Sequence, residues 1–196
     1  MIALKQIGVI RTDFPEKFGI PRQSGLIEEL RSTLVFEPEF RVLEALRGIE
    51  QYSHLWLIWE FSKAVRDGWS PTVRPPRLGG NTRMGVFATR SPFRPNPLGL
   101  SCVRLVGVEY NTPEGAVLHL AGADLMDGTP IYDIKPYLPY VDCKPGASNG
   151  FALAQQEGVL EVHLPEELAA RIPPEKLPAL KAVLAQDPRP QYISDP

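Results

Sequence analysis

Cys102-Val-Arg-Leu-Val-Gly-Val-Glu-Tyr110, then Asn111-Thr-Pro-Glu-Gly115, then Ala116-Val-Leu-His-Leu-Ala121 is the stretch that decides the fold. Apolar residues recur at every second position on both sides of a short Pro/Gly connection, which is the pattern of two strands joined by a hairpin. Working outward, Leu4 to Arg11, Ser32 to Phe36, Leu55 to Phe61, Met84 to Thr89 and Ile131 to Lys135 repeat the strand pattern. Asp127-Gly128 adds a further turn. Seven or more short strands in series predict a mainly β chain, its antiparallel-rich sheet closed or nearly closed. One inserted helix is expected from Pro38 to about Gly48, with Phe40, Leu43, Ala45, Leu46 and Ile49 as its apolar stripe. Pro38 suits the first helical position and Gly48 the C-terminal cap.

After Pro145 the texture changes. Lys144-Pro-Gly-Ala-Ser-Asn-Gly150 reads as a linker, followed by a strand candidate from Gly158 to Leu164. Helical pieces from Pro165 to Arg171 and from Pro174 to Gln186 come next. A boundary is therefore expected near residue 145, with a β domain over 1–145 and a small mixed α/β extension over 146–196. A chain of 196 residues can bury a core without disulfides or structural metal. Cys102 and Cys143 lie far apart and read as buried thiols, His54, His119 and His163 are scattered, and no structural zinc is expected. No apolar run approaches the roughly 20 residues of a membrane span, and the N-terminus lacks the basic and apolar regions of a signal peptide. The expectation is a cytoplasmic protein without a membrane partner. No two glycines stand two positions apart, and neither a phosphate-binding glycine loop nor a Gly-x-Ser-x-Gly elbow occurs. Those absences exclude the common dinucleotide, nucleotide and α/β-hydrolase signatures.

Charge is unevenly placed. From Gly68 through Val108 there is no acidic residue, yet Arg74, Arg77, Arg83, Arg90, Arg94 and Arg104 fall there. Six prolines between Pro71 and Pro97 keep this segment from being a helix, and interleaved Trp69, Met84, Val86, Phe87 and Phe93 argue for an ordered loop. Arginine forks match phosphate and carboxylate groups and stack on bases, so the loop reads as a site for a polyanion or a carboxylate-bearing ligand. Asp124, Asp127, Asp133 and Asp142 form the complementary cluster. Such acids are candidate ligands for a hard cation such as Mg²⁺, or acceptors for a ribose hydroxyl or an adenine amine.

Three runs carry a resemblance to a known family. They are Pro71-Thr-Val-Arg-Pro-Pro-Arg-Leu-Gly-Gly-Asn81, Arg83-Met-Gly-Val-Phe-Ala-Thr-Arg-Ser-Pro-Phe-Arg-Pro-Asn-Pro-Leu-Gly-Leu-Ser101 and Asp124-Leu-Met-Asp-Gly-Thr-Pro-Ile-Tyr-Asp-Ile-Lys-Pro-Tyr137. With Phe18-Gly-Ile-Pro-Arg-Gln23 and Leu184-Ala-Gln-Asp-Pro-Arg-Pro-Gln-Tyr192, they resemble the TsaA-like, or TrmO, family. The resemblance implies a single-sheeted β-barrel and a homodimer with its cofactor near the subunit interface. It also implies an S-adenosylmethionine-dependent methyltransferase acting on N6 of threonylcarbamoyladenosine beside the tRNA anticodon. No DNA partner is expected.

Carried onto this sequence, the resemblance implies cofactor contacts at Pro21, Arg22, Gln23, Ser62, Lys63, Arg90, Leu100, Asp124, Leu125, Met126 and Asp127. Ser62-Lys63 stand where some relatives have His-Gln. Arg74, Arg77, Arg83 and Arg94 are the candidates for the tRNA and for the substrate carboxylate. For the chemistry, Asn96 between Pro95 and Pro97 is a candidate for positioning the base, and Asp133 or Tyr137 for accepting a proton, with Lys135 adjusting either. A non-catalytic RNA- or adenosyl-binding module of the same fold, and a Mg²⁺-dependent phosphoesterase using the aspartates, are the competing expectations.

Overall fold

Six strands close on themselves in a computed structural model that describes residues 3–65, 68–75, 81–155 and 160–188, the side chains of 153–155 excepted. They are β1 (Gly8–Arg11), β2 (Arg31–Phe36), β3 (His54–Glu60), β6 (Leu98–Thr112), β7 (Gly115–Ala121) and β8 (Thr129–Pro136), in barrel order β1-β2-β7-β6-β3-β8. All their pairings are antiparallel. A separate two-stranded ribbon joins β4 (Thr72–Val73) to β5 (Met84–Gly85).

The alternation read from the sequence is the alternation between barrel interior and exterior. Ile10, Leu34, Leu55, Leu57, Leu118, Leu120 and Ile131 point inward and are fully buried. The neighbours of Leu55 and Leu57 on β3, namely His54, Trp56 and Ile58, point outward and are half-buried. The predicted hairpin is there. Thr112 pairs with Gly115, whose φ of 80° meets the turn's demand for a left-handed residue, and Thr112 Oγ1 donates to the Gly115 carbonyl at 2.6 Å. The first half of β6 pairs with β3 and the second half with β7. Register shifts near Gly107 and after Glu109 let one 15-residue strand turn from one neighbour to the other.

Four expectations need correction. The segment from Pro38 to Gly48 is not a helix but separate 3-10 turns at Pro38–Phe40 and Leu43–Leu46, followed by one at Ile49–Gln51. Val42 between the first two is extended, and Leu46 is buried while Leu43 stays exposed. Phe40, Leu46 and Ile49 each plug the barrel from a different turn, and that packing overrides the helical spacing. Met84 to Thr89 is a strand for two residues only; a 3-10 turn at Val86–Ala88 replaces the rest. Residues 160–164 form no strand. Of the thiols, Cys143 is exposed and Cys102 half-exposed, so neither is a core residue.

The C-terminal segment carries α1 (Pro139–Asp142), α2 (Glu166–Ala169) and α3 (Leu177–Ala185). Val183 of α3 is buried with Ile27 and Leu30, with Phe14 packed against them, in a second small core outside the barrel. Lys176 Nζ meets Asp13 Oδ1 at 2.6 Å on the same side. Helix α3 therefore braces the long connection between β1 and β2. Among the described residues no helix is long and apolar enough to cross a membrane.

Candidate active site

The connection that α3 braces forms one wall of a cavity of about 590 Å³ at an end of β3 and β6. Other walls come from the end of β3 (Trp56, Trp59, Glu60), the turn after it (Phe61 to Ala64), Arg90 to Gly99, and the turn Asp124-Leu-Met126. Its size is in the range of small-molecule sites, roughly 300–1,000 Å³.

Local hydrogen bonds hold each wall. Ser24 Oγ accepts from the Cys102 N–H at 3.0 Å, and the Gly25 N–H donates to the Gly122 carbonyl at 2.8 Å, which tacks the Pro21-to-Gly25 stretch to the barrel. Arg90 donates to Gln23 Oε1, joining the arginine loop to that stretch. Within the loop, Thr89 Oγ1 donates to the Val86 carbonyl, and Arg94 donates to the Thr89 carbonyl at 3.1 Å. The Phe61 N–H donates to the Pro97 carbonyl, so the turn after β3 and the prolines around Asn96 hold each other.

Electrostatically the cavity centres on Asp124. The Trp59 indole N–H donates to Ser101 Oγ at 2.9 Å, and the Ser101 hydroxyl donates to Asp124 Oδ1 at 2.6 Å. Burial pushes the Asp124 carboxyl above the ordinary aspartate value; hydrogen bonds from Ser101 and from the backbone N–H groups of Asp124 and Ser24, with the Arg90 charge, offset part of that. A carboxylate has about four acceptor sites, so capacity remains for a ligand. A second acid, Glu60, accepts from the Tyr132 hydroxyl at 2.6 Å, and this raises the Tyr132 phenol to about 12. Ser101→Ala is expected to strand the buried indole N–H and to remove one of the donors to Asp124. Denaturant melts should show about 1–3 kcal/mol lost, with the Asp124 pKa rising further because a hydrogen bond to its charged form is gone.

Ten of the eleven residues expected to contact the cofactor line this one cavity; Asp127 does not. Its carboxylate accepts from the Thr12 N–H at 3.0 Å and its own N–H donates to the Phe14 carbonyl, so it ties β1 to the turn before β8. Asn96 and Arg94 line the cavity too. Arg74 lines a larger open groove beside it, Arg83 is exposed and lines neither, and Arg77 lies outside the described residues. Asp133 and Lys135 form an exposed 3.0 Å ion pair on the outer face of β8. Tyr137 packs against Trp56 and His54, with ring centroids 5.7 and 6.1 Å away. None of these three lines the cavity. The four aspartates do not gather into a cation site either: Asp142 accepts from the Trp56 indole at 3.1 Å and the others have the separate partners given above.

Comparison with known proteins decides the lineage. The family model described as the tRNA-methyltransferase O N-terminal domain matches residues 9–143. The chain belongs to this TrmO family. An Escherichia coli K12 relative, a tRNA (adenine(37)-N6)-methyltransferase, is 45% identical over 194 residues, covering 96% of this chain and 82% of that protein. A Pyrococcus abyssi relative named "Probable S-adenosyl-L-methionine-binding protein" is 38% identical over 151 residues, 77% of this chain and 76% of its own length. The crystal structure of TrmO from Pseudomonas aeruginosa superposes with a TM-score of 0.75 at 39% identity, over 96% of this chain and 82% of that one.

The cavity suits the cofactor that family membership brings, S-adenosylmethionine. That molecule joins a sulfonium, an ammonium and a carboxylate to an aromatic nucleoside. The cavity offers Asp124 and Glu60 for the cations and hydroxyls. Leu98, Leu100, Leu125 and Met126 form an apolar wall against which a nucleoside would fit, and Lys17, Arg22, Lys63 and Arg90 could hold a carboxylate. Three parts of this site are not apparent in the sequence: the Trp59–Ser101 relay, Glu60 and Gly99. Reading Leu98 to Ser101 as the start of β6 would have placed Ser101 beside Leu57 and Gly99 beside Trp59.

Proposed function

We propose that this protein uses S-adenosylmethionine to methylate N6 of adenine 37 in tRNA, that the acceptor base carries the threonylcarbamoyl group, and that the enzyme is a cytoplasmic homodimer. Residues 1–145 form its methyltransferase barrel in this reading, and 146–196 an extension that braces the cofactor wall. The observation that carries the reading is a half-buried acid, Asp124, in a small-molecule cavity that shares its Pro21–Gln23 wall and Arg90 with an arginine-bearing groove.

When bound, S-adenosylmethionine supplies an electrophilic methyl group on sulfur. The protein's residues supply placement. Asp124, held by Ser101, fixes one end of the cavity, and the Pro95-Asn96-Pro97 turn presents an amide at its mouth for the incoming base. The acceptor nitrogen of a ureido group has its lone pair delocalised, so it must shed a proton as it reacts. Tyr137 is held above the ordinary tyrosine value, chiefly by desolvation and then by Cys143 and Cys102. Asp133, ion-paired with Lys135 at 3.0 Å, is the residue that accepts the proton in this reading.

A dimer reconciles these groups with the cavity. Register places Leu100 and Asp133 on either side of Ile58, on one outward face of the sheet, and Leu100 is 55% exposed while also lining the cavity. A second copy covering this apolar face would bring Asp133, Lys135 and Tyr137 of one protomer to the cavity mouth of the other. Arg94, which lines the cavity, meets the threonyl carboxylate, with Arg74 along the groove and the exposed Arg83 holding phosphates.

The test is transfer of labelled methyl to tRNA with and without the threonylcarbamoyl group, using wild type and Asn96→Ala. Transfer to the modified tRNA alone is expected, reduced about tenfold or more in the variant while cofactor affinity stays within about twofold. Equal methylation of unmodified tRNA would remove the threonylcarbamoyl assignment, and lost cofactor binding would remove the role given to Asn96.

A further inference from the structure

Two large rings stand in water on the arginine loop. Trp69 is 51% exposed and Phe87 71% exposed, yet they stack on each other with centroids 6.0 Å apart and planes 27° apart. The β4–β5 register explains why they meet. Thr72 pairs with Gly85, and the Val86 N–H donates to the Pro71 carbonyl at 3.0 Å, so the ribbon continues by one step. Trp69 and Phe87 then face each other at its open end. Val86 is 1% exposed and anchors the 3-10 turn that carries Phe87; Ser70 Oγ donates to the Thr72 carbonyl next to Trp69. The pair is a fixed feature of the ribbon, presented to solvent.

The surroundings say what the pair meets. Phe87 lines the open groove of about 2200 Å³ together with Arg74, Arg90 and Phe18, the last 64% exposed. That groove shares Pro21, Arg22, Gln23, Arg90 and Pro92 with the cofactor cavity. No acidic residue occurs from Gly68 through Val108, so nothing on this loop repels a polyanion. An apolar partner would leave the arginines unused, and a duplex would keep its bases stacked inside. An unpaired nucleotide satisfies both features, because every base has a face to stack and a phosphate to pair.

We infer that the Trp69–Phe87 stack is a base platform: an unpaired nucleotide of the tRNA loop, next to the adenine that is methylated, stacks on the exposed face of this pair while Arg74 holds its phosphate. The platform rests on the reading of the protein as a tRNA methyltransferase, and it supplies register. Parking a neighbouring base fixes how far along the groove the target base arrives. Stacking is tolerant of base identity, so the platform contributes affinity and placement rather than sequence choice.

Full-length Trp69→Ala and Phe87→Ala are compared with wild type in steady-state methylation, with cofactor affinity measured by calorimetry. KM for tRNA should rise about tenfold, with kcat and cofactor affinity within about twofold, and Trp69→Phe should restore wild-type KM. An anticodon stem-loop RNA without any methyl donor should quench part of the tryptophan fluorescence, and Trp69→Phe should lack that part. Unchanged KM together with unchanged quenching overturns the platform. A parallel loss of cofactor affinity makes the rings merely structural, and a halved particle mass in the alanine variants makes a second copy their occupant; either overturns it too. Failure of wild type to methylate tRNA would sink the underlying reading instead, and the fluorescence titration would still decide the platform.

Discussion

Gly99→Ala is expected to abolish measurable S-adenosylmethionine binding and to lower the melting temperature by several degrees. A Cβ at this position would lie 2.2 Å from Trp59 Cε2 and 2.4 Å from Cζ2, far inside van der Waals contact. The clash has no easy escape. Gly99 pairs with Trp59 across β3 and β6, and the indole is only 7% exposed, packed against Phe61 with ring centroids 4.3 Å apart. Overpacking a fitted core costs about 1–3 kcal/mol, and in a chain of this length each kcal/mol is worth roughly 2–4 °C. The functional loss exceeds the structural one because the displaced ring is also a donor. Moving it breaks the Trp59–Ser101–Asp124 chain and reshapes a cavity that both Trp59 and Gly99 line. A double variant, Gly99→Ala with Trp59→Leu, makes room for the methyl group without restoring the indole donor. It should recover most of the melting temperature and little of the binding, as read by thermal melts and calorimetry. Recovery of both would mean that the cavity needs volume alone and that the relay to Asp124 is incidental.

That relay marks where the sequence stops being legible. The barrel strands could be read because each buries one face, so Leu55, Leu57, Leu118 and Leu120 repeat at a spacing of two. The hairpin at Pro113-Glu114 could be read because a left-handed residue was needed at Gly115 and glycine stood there. The segment after Pro38 was misread because three short turns leave the same apolar spacing as one helix; which of them holds is decided by the barrel end that Phe40, Leu46 and Ile49 enter. The site divides along the same line. Family motifs pointed to Asp124 and Pro21–Gln23, and Arg90 ties the last of these to its own loop. Ser101 closes the motif that begins at Arg83, but nothing in that run marks Trp59 as its partner, since 42 residues separate two groups joined by a single hydrogen bond. Asp127 has the composition of a ligand and the geometry of a brace, a difference that lies entirely in the Thr12 N–H beside it.

Asp124→Asn is expected to act with opposite signs on the empty and the loaded protein. Burial raises the Asp124 pKa above its unfolded value, so the folded chain holds this proton more tightly than the unfolded chain. Asp124 therefore favours folding most below the ordinary aspartate range, and stability falls as pH rises from there through the raised value. The asparagine variant has no such slope, so at neutral pH the ligand-free protein should melt no lower than wild type. Cofactor binding runs the other way. An ionised Asp124 attracts the cationic groups of S-adenosylmethionine, so wild-type affinity should weaken as pH is lowered through the raised pKa, earlier than for a surface carboxylate. The variant should bind about 10- to 100-fold more weakly at neutral pH, the range for losing a charge-assisted hydrogen bond, and its affinity should be flat across the pH window in which wild type changes. Calorimetry over that window and melts of the ligand-free protein measure both halves. A variant with normal affinity and an unchanged pH profile would leave Asp124 as a brace for Ser101 and the Ser24 backbone, and would transfer recognition of the cation to Glu60, the other acid in the cavity.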